Sequence, residues 1–357
     1  MRELRLLLAL PHVRVATLVA AALIAAVAGG VFDRWRPTLS YWIKHTPLCL
    51  AENAGVLAPR RAHYVPAFGY TVDMLHCTPA KPPQLVGASL SRDLFVVSDL
   101  GGTVQRIDIA GRVVWQLGMS SPHGLDVHED RLLVGEGQTV RVLSALTGAD
   151  LQRFEFDQPI LMFRQIGSSL FMLMDIDGAG AVRRYALSQH GARLVKSTPV
   201  VTHFARGIDI DASGLYVADT FGHRIIRLDL DSLELLDEAA SYFPNSVQIL
   251  GDLLLVAEEH LNVVSEFRTQ PLVRIGSRVG CSAHPAGIEL PDDMPAGACD
   301  RSAPETALYS PNDAVAADGR VYVADTDNHR VVEFVGGHVV ALLSGFNNPV
   351  NVRVVQR

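Results

Sequence analysis

The chain has 357 residues, 48% hydrophobic and 19% charged, with a net charge of −7 at pH 7. That length accommodates one large all-β domain plus an appendage. The mild acidity, with no Lys/Arg cluster forming a basic stripe, argues against nucleic-acid binding.

Residues 1–14 carry Arg2, Arg5 and Arg14 and read as a short cytoplasmic N-terminus. Residues 15–32, VATLVAAALIAAVAGGVF, hold no charge. Eighteen residues rise about 27 Å as a helix, close to the thickness of a bilayer core. Two readings fit: a secretory signal cleaved after Ala26-Val27-Ala28, or an uncleaved transmembrane helix. The anchor fits better, because the apolar run continues to Phe32 and is followed by Trp35, Tyr41 and Trp42 as interfacial aromatics. Either way the preceding arginines favour export of the remainder. The expectation is a membrane-anchored protein, held by 15–32, with its bulk in the periplasm or outside the cell.

Residues 33–82 are rich in Pro, Arg and Ala, with one strand-like run at Tyr70–Leu75. They read as a linker ending in a ring-closing segment. Cys49 and Cys77 lie here, while Cys281 and Cys299 flank a later Pro/Gly/Asp-rich loop. Four cysteines in an exported chain point to disulfides, with Cys49–Cys77 and Cys281–Cys299 the local one of three pairings.

From 83 to 357 the chain repeats itself. FVVSD (95–99), LLVGE (132–136), FMLMD (171–175), LYVAD (215–219), LLVAE (254–258) and VYVAD (321–325) are apolar runs closed by a carboxylate. The steps between them are 37, 39, 44, 39 and 67 residues. A period near forty, with β-branched runs broken by Gly, Pro and Asp, fits four-stranded antiparallel propeller blades. Asp318-Gly319 separates two of these strands and can take the positive backbone angles of a tight hairpin.

LYVADTFGHRIIRLDL (215–230) and VYVADTDNHRVVEFV (321–335) resemble NHL repeats. Both carry the VADT core, a following His-Arg pair, and Gly207 or Pro311 before the first strand. The resemblance implies a β-propeller that serves as a binding platform or an enzyme. First strands are expected near Val86, Gly124, Ile160, Gly207, Ser246, Asp313 and Val350. Only six of them have a second strand. Val350–Val355 therefore either joins the first blade of a six-bladed ring or completes a seventh with Tyr64–His76.

Tight turns join strands one and two, so strand-one starts and strand-two ends share one rim. That rim gathers His123, Arg206, Asn245, Asn312, Asp313 and Asn351 beside the six carboxylates. The opposite rim is expected to hold only turn residues. The six carboxylates themselves read as turn-holding groups paired with Arg106, Arg141, Arg183, Arg224 and Arg330. Gly276–Pro311 reads as a long cap over the rim, because loops of that length are usually functional or disordered.

No GxSxG or HExxH is present. The leading expectation is a platform for a protein or small ligand on the capped rim. A second is a calcium-dependent hydrolase or lyase. Asn245, Asn312 and Asp313 resemble in type and place the calcium ligands of six-bladed lactonases, although a first-strand Glu is missing. A third is a structural assembly subunit.

Overall fold

The computed structural model describes residues 62–65, 70–73, 83–99, 102–119, 122–176, 179–280 and 307–355. The transmembrane reading of 15–32 and all four cysteines lie outside them. Among the described residues no helix is long and apolar enough to cross a membrane.

β1 (Ala62–Val65) and β2 (Tyr70–Asp73) form a separate antiparallel hairpin. β3 (Gln84–Gly87) is followed by β4 (Leu94–Ser98), β5 (Thr103–Ile107) and β6 (Val113–Gly118). Four complete meanders follow: β7–β10 at Pro122–His128, Arg131–Glu136, Thr139–Ser144 and Asp150–Glu155; β11–β14 at Ile160–Ile166, Ser169–Ile176, Ala179–Ser188 and Gly191–Ser197; β15–β18 at Gly207–Asp211, Gly214–Asp219, Arg224–Leu228 and Leu235–Ala240; and β19–β22 at Pro244–Leu250, Leu253–Glu258, Val263–Thr269 and Leu272–Gly280. β23–β26 (Pro311–Ala317, Arg320–Asp325, Arg330–Val335, His338–Ser344) make the last full meander, and β27 (Pro349–Val354) ends the chain.

β27 pairs with β4, so the first blade is β27-β4-β5-β6 and the ring has six blades. The C-terminal strand closes the ring as one of the two expected routes requires. The N-terminal side departs from expectation. Gln84–Gly87, read as the first strand of blade one, instead pairs with β26 as a fifth, outermost strand of the last blade. An alternating run specifies a strand but not its partner, and the outer edge of that blade was unpaired. Blade five also runs further than read: β22 continues past Ile275 to Gly280.

Burial follows position within a blade. Second strands such as LFVVS of β4 and GLYVAD of β16 are buried along their whole length, packed between neighbouring blades. Fourth strands alternate exposed and half-buried residues. Asp318 and Gly319 have φ of 51° and 74°, the left-handed pair that a two-residue turn between twisted strands needs.

The innermost strands β7, β11, β15, β19, β23 and β27 touch in succession around the axis, and β27 meets β7 to complete the circle. Gly207 allows one of these approaches. A Cβ there would sit 2.6 Å from Ser246 Cα of the next blade.

Candidate functional site

The repeat residues explain how the blades are held. Asp325 is fully buried; Oδ1 accepts from the Tyr309 amide (2.6 Å), and Oδ2 from Arg330 Nε (2.6 Å) and Asn328 Nδ2 (2.7 Å). Asp219 likewise accepts from the His203 amide and from Arg224 Nε at 2.9 Å. Each carboxylate thus clamps the connection leading into its own blade. The next residue ties in the following blade: Thr220 Oγ1 donates to the Pro244 carbonyl and Thr326 Oγ1 to the Pro349 carbonyl, both at 2.7 Å. Burial pushes the Asp325 carboxyl up, with Arg330 opposing.

The expected arginine pairings hold for Arg141, Arg224 and Arg330; Arg106 also pairs with Asp93 and Arg183 with Asp157. Glu258, which has no arginine five to eight residues after it, is reached by Arg274 of β22 at 3.1 Å.

The central channel holds a second polar set, absent from the sequence reading. Arg353, Asp126, Arg164, Asp209, Gln248 and Val315 occupy one register position, one per blade. They line a cavity of about 550 Å³ toward the hairpin-turn end, the rim expected to hold only turn residues. Its polar groups are engaged between blades. Asp126 Oδ2 accepts from the Gln165 amide (2.7 Å), Asp209 Oδ2 from the Ile249 amide (2.8 Å), and Gln248 Oε1 from the Ala316 amide (2.6 Å). Arg164 lies 3.4 Å from Asp209 and donates to the Leu125 carbonyl. Burial pushes the Asp126 carboxyl up and pulls the Arg353 guanidinium down. Among the described residues, no buried channel side chain lacks a partner. The ring therefore reads as architecture.

The strand-start rim differs. Buried side-chain atoms without a hydrogen-bond partner include Ser98 Oγ, Thr202 Oγ1, Asn245 Oδ1, Asn328 Oδ1 and Asn348 Oδ1, all on that side. Asn312 begins β23 there, half-buried. Asp313 is turned inward: Oδ2 accepts from Arg353 (2.5 Å), the Val352 amide (3.1 Å) and Asn351 Nδ2 (3.3 Å). Asn351 Oδ1 accepts from the Gly124 amide, and His123 Nε2 meets the Ile160 carbonyl. Arg206 and Asn245 are joined to each other through Glu259. Arg206 Nη1 lies 3.6 Å from Glu259 Oε2, and Asn245 Nδ2 donates to that same oxygen at 2.5 Å.

Beside this trio runs an aromatic row missed in the sequence. The Arg206 guanidinium lies over the Phe204 ring at 4.9 Å. Phe204 and Phe221 centroids are 5.3 Å apart; Phe221 meets Phe243 edge-on at 5.0 Å, and Phe243 stacks on His260 at 3.9 Å. His223 flanks both Phe243 and His260. Phe221 is 55% exposed.

The backbone adds a further oddity. Phe204, Phe243, Ser310 and Asn348 occupy the same repeat position, with φ of 54°, 56°, 54° and 60°. Asn suits a left-handed conformation, whereas a bulky side chain there costs about 1–2 kcal/mol. Phenylalanine stands at that position in two adjacent blades. The signal was available: Phe204 and Phe243, and Phe221 and His260, are each one 39-residue repeat step apart.

Among the described residues no group of three His, Cys, Asp or Glu side chains is arranged to hold a metal ion. Residues 308–334 match the NHL repeat family. No curated protein matches the sequence. Of solved structures, a protein of unknown function from Bacteroides caccae has a TM-score of 0.57 at 11% identity, covering 74% of this chain and 99% of that one. A putative 6-phosphogluconolactonase from Bacteroides uniformis has a TM-score of 0.53 at 12% identity, with the same coverages. A functionally unknown protein from Desulfotomaculum acetoxidans has a TM-score of 0.50 at 15% identity, covering 76% and 88%. At such identities the likeness concerns the fold alone.

Proposed function

We propose that this six-bladed NHL-repeat β-propeller is a binding platform, tethered to a membrane by residues 15–32 and facing out of the cytoplasm. Its contact surface is the strand-start rim between blades four and five. One observation carries the reading: the half-exposed row Phe204–Phe221–Phe243–His260, in which Phe204 and Phe243 hold a left-handed backbone conformation that bulky residues do not favour. Strained residues that persist against local preference gather at ligand clamps. Exposed aromatics beside Arg are also the composition of interface anchors. The uncharged run 15–32 and the arginines before it support the tether.

A calcium-dependent reaction at Asn245, Asn312 and Asp313 finds less support. A cation at Asp313 would have to displace Arg353 from a carboxylate that is 1% exposed. The platform reading is tested by cross-linking mass spectrometry on the full-length protein in its membranes. Phe221→Asp should remove the cross-linked partner without lowering the melting temperature. Glu129→Arg, on the hairpin-turn rim, should leave the partner in place. Loss of the partner with Glu129→Arg instead would put the contact on the other face.

A further inference from the structure

Resting on the platform reading, we infer that the aromatic row takes a basic peptide segment of a protein partner, seating an Arg or Lys side chain between Phe221 and the Asn245–Glu259 pair. Beside the ring faces of the row stands one buried acceptor without a partner. Asn245 is 2% exposed, and its Oδ1 has no hydrogen-bond partner. Its orientation is fixed, because turning the amide would set Oδ1 against the Glu259 carboxylate. A ligand that satisfies Oδ1 must donate. Glu259 Oε2, which takes Asn245 Nδ2, already receives one guanidinium at this corner, that of Arg206 at 3.6 Å.

The molecule contains its own example of the mode. Arg206 lies over Phe204 while reaching toward Glu259. Phe221, next in the row, has no guanidinium of the chain over it among the described residues and keeps more than half its surface open. Ring faces attract cations, Arg most often. Charge over longer range agrees. Residues 83–357 contain 22 Lys and Arg against 34 Asp and Glu, which draws basic partners and raises their rate of encounter. An uncharged saccharide fits less well. The faces it would stack on are partly occupied, Phe243 by His260 and Phe204 by Arg206.

The test uses the full-length protein in detergent and a fluorescein-labelled decapeptide of alternating Gly and Arg, with a counterpart carrying citrulline for Arg. Fluorescence anisotropy should show the Arg peptide binding and the citrulline peptide at least about tenfold weaker. Phe221→Ala should weaken the Arg peptide by about two- to thirty-fold, the range spanned by one cation–π contact. Glu259→Gln should also weaken it. Glu129→Gln, the same charge change on the other rim, should not. Equal binding of both peptides, or indifference to both rim variants, would overturn the inference. So would displacement of the Arg peptide by the neutral sugar cellohexaose at equal concentration. If the peptide ignores the row while Phe221→Asp still removes the cross-linked partner, the platform stands and its basic chemistry fails. If neither responds, both fail.

Discussion

Ring closure can be tested at one ion pair. Arg353 of β27 donates to Asp313 Oδ2 across the seam between blades six and one. Its side chain is 10% exposed and that of Asp313 1%. Arg353→Leu keeps volume in the channel but leaves a buried carboxylate without its cation. Removing one partner of such a pair costs about 3–5 kcal/mol, because the remaining charge is desolvated and uncompensated. A domain is stable by about 5–15 kcal/mol, so the loss is a large fraction of the whole. At about 2–4 °C per kcal/mol the melting temperature should fall by about 6–20 °C. Asp313→Asn added to Arg353→Leu removes the orphaned charge while keeping an acceptor for the Val352 amide. The double variant should therefore regain about 2 kcal/mol or more. Urea denaturation, with slopes compared to confirm a common unfolding transition, measures both. An Arg353→Leu protein within about 1 kcal/mol of the parent would remove β27 from the ring. A double variant no more stable than the single would show that the buried charge is not the cause.

Three further outcomes are expected. Melting temperature should be the same with calcium and with chelator, since Asp313 is held by Arg353; a calcium-dependent rise abolished by Asn312→Ala with Asp313→Ala would restore the metal reading. Burial, with His223 adding, lowers the pKa of His260 against the pull of Glu259. The fold thus prefers neutral His260, a contribution present above the unfolded value of about 6.5 and lost as pH falls toward the folded one. Melting temperature should accordingly drop more between pH 7.5 and 5.5 in the parent than in His260→Phe; parallel curves would exclude His260 as the cause. The full-length protein should stay with membranes through a carbonate wash and keep its N-terminus, whereas a soluble form beginning at Gly29 would identify 15–32 as a cleaved signal.

Much of the architecture was legible in the sequence because the repeat is local. A blade is a meander of neighbouring strands, and in four blades the carboxylate read as closing the second strand is its last residue: Glu136, Asp219, Glu258 and Asp325. Asp318-Gly319 names its turn by residue type alone. What was not legible lies between blades. Gln84–Gly87 reads equally well as an inner or an outer strand, and only the free edge of β26 decides. Asp126, Arg164, Asp209 and Arg353 look unrelated along the chain and become a ring only when register is known. The candidate site was half legible. Arg206 and Asn245 were singled out and do meet, at Glu259, while Asn351 and Asp313 meet each other. The aromatic row escaped because its residues sit in connections, where Phe has no regular pattern. Only comparison at the 39-residue step lines up Phe204 with Phe243 and Phe221 with His260.

The rim between blades four and five is the central claim, and a photo-cross-linker reports on it directly. p-Benzoylphenylalanine replaces Tyr242, beside the row and 38% exposed, or Asp130 in the hairpin turn of the opposite rim. After irradiation of intact membranes, the Tyr242 position should give a discrete protein adduct that Phe221→Asp abolishes, and the Asp130 position should give none. An adduct from Asp130 alone, or one from Tyr242 that survives Phe221→Asp, would contradict the assignment.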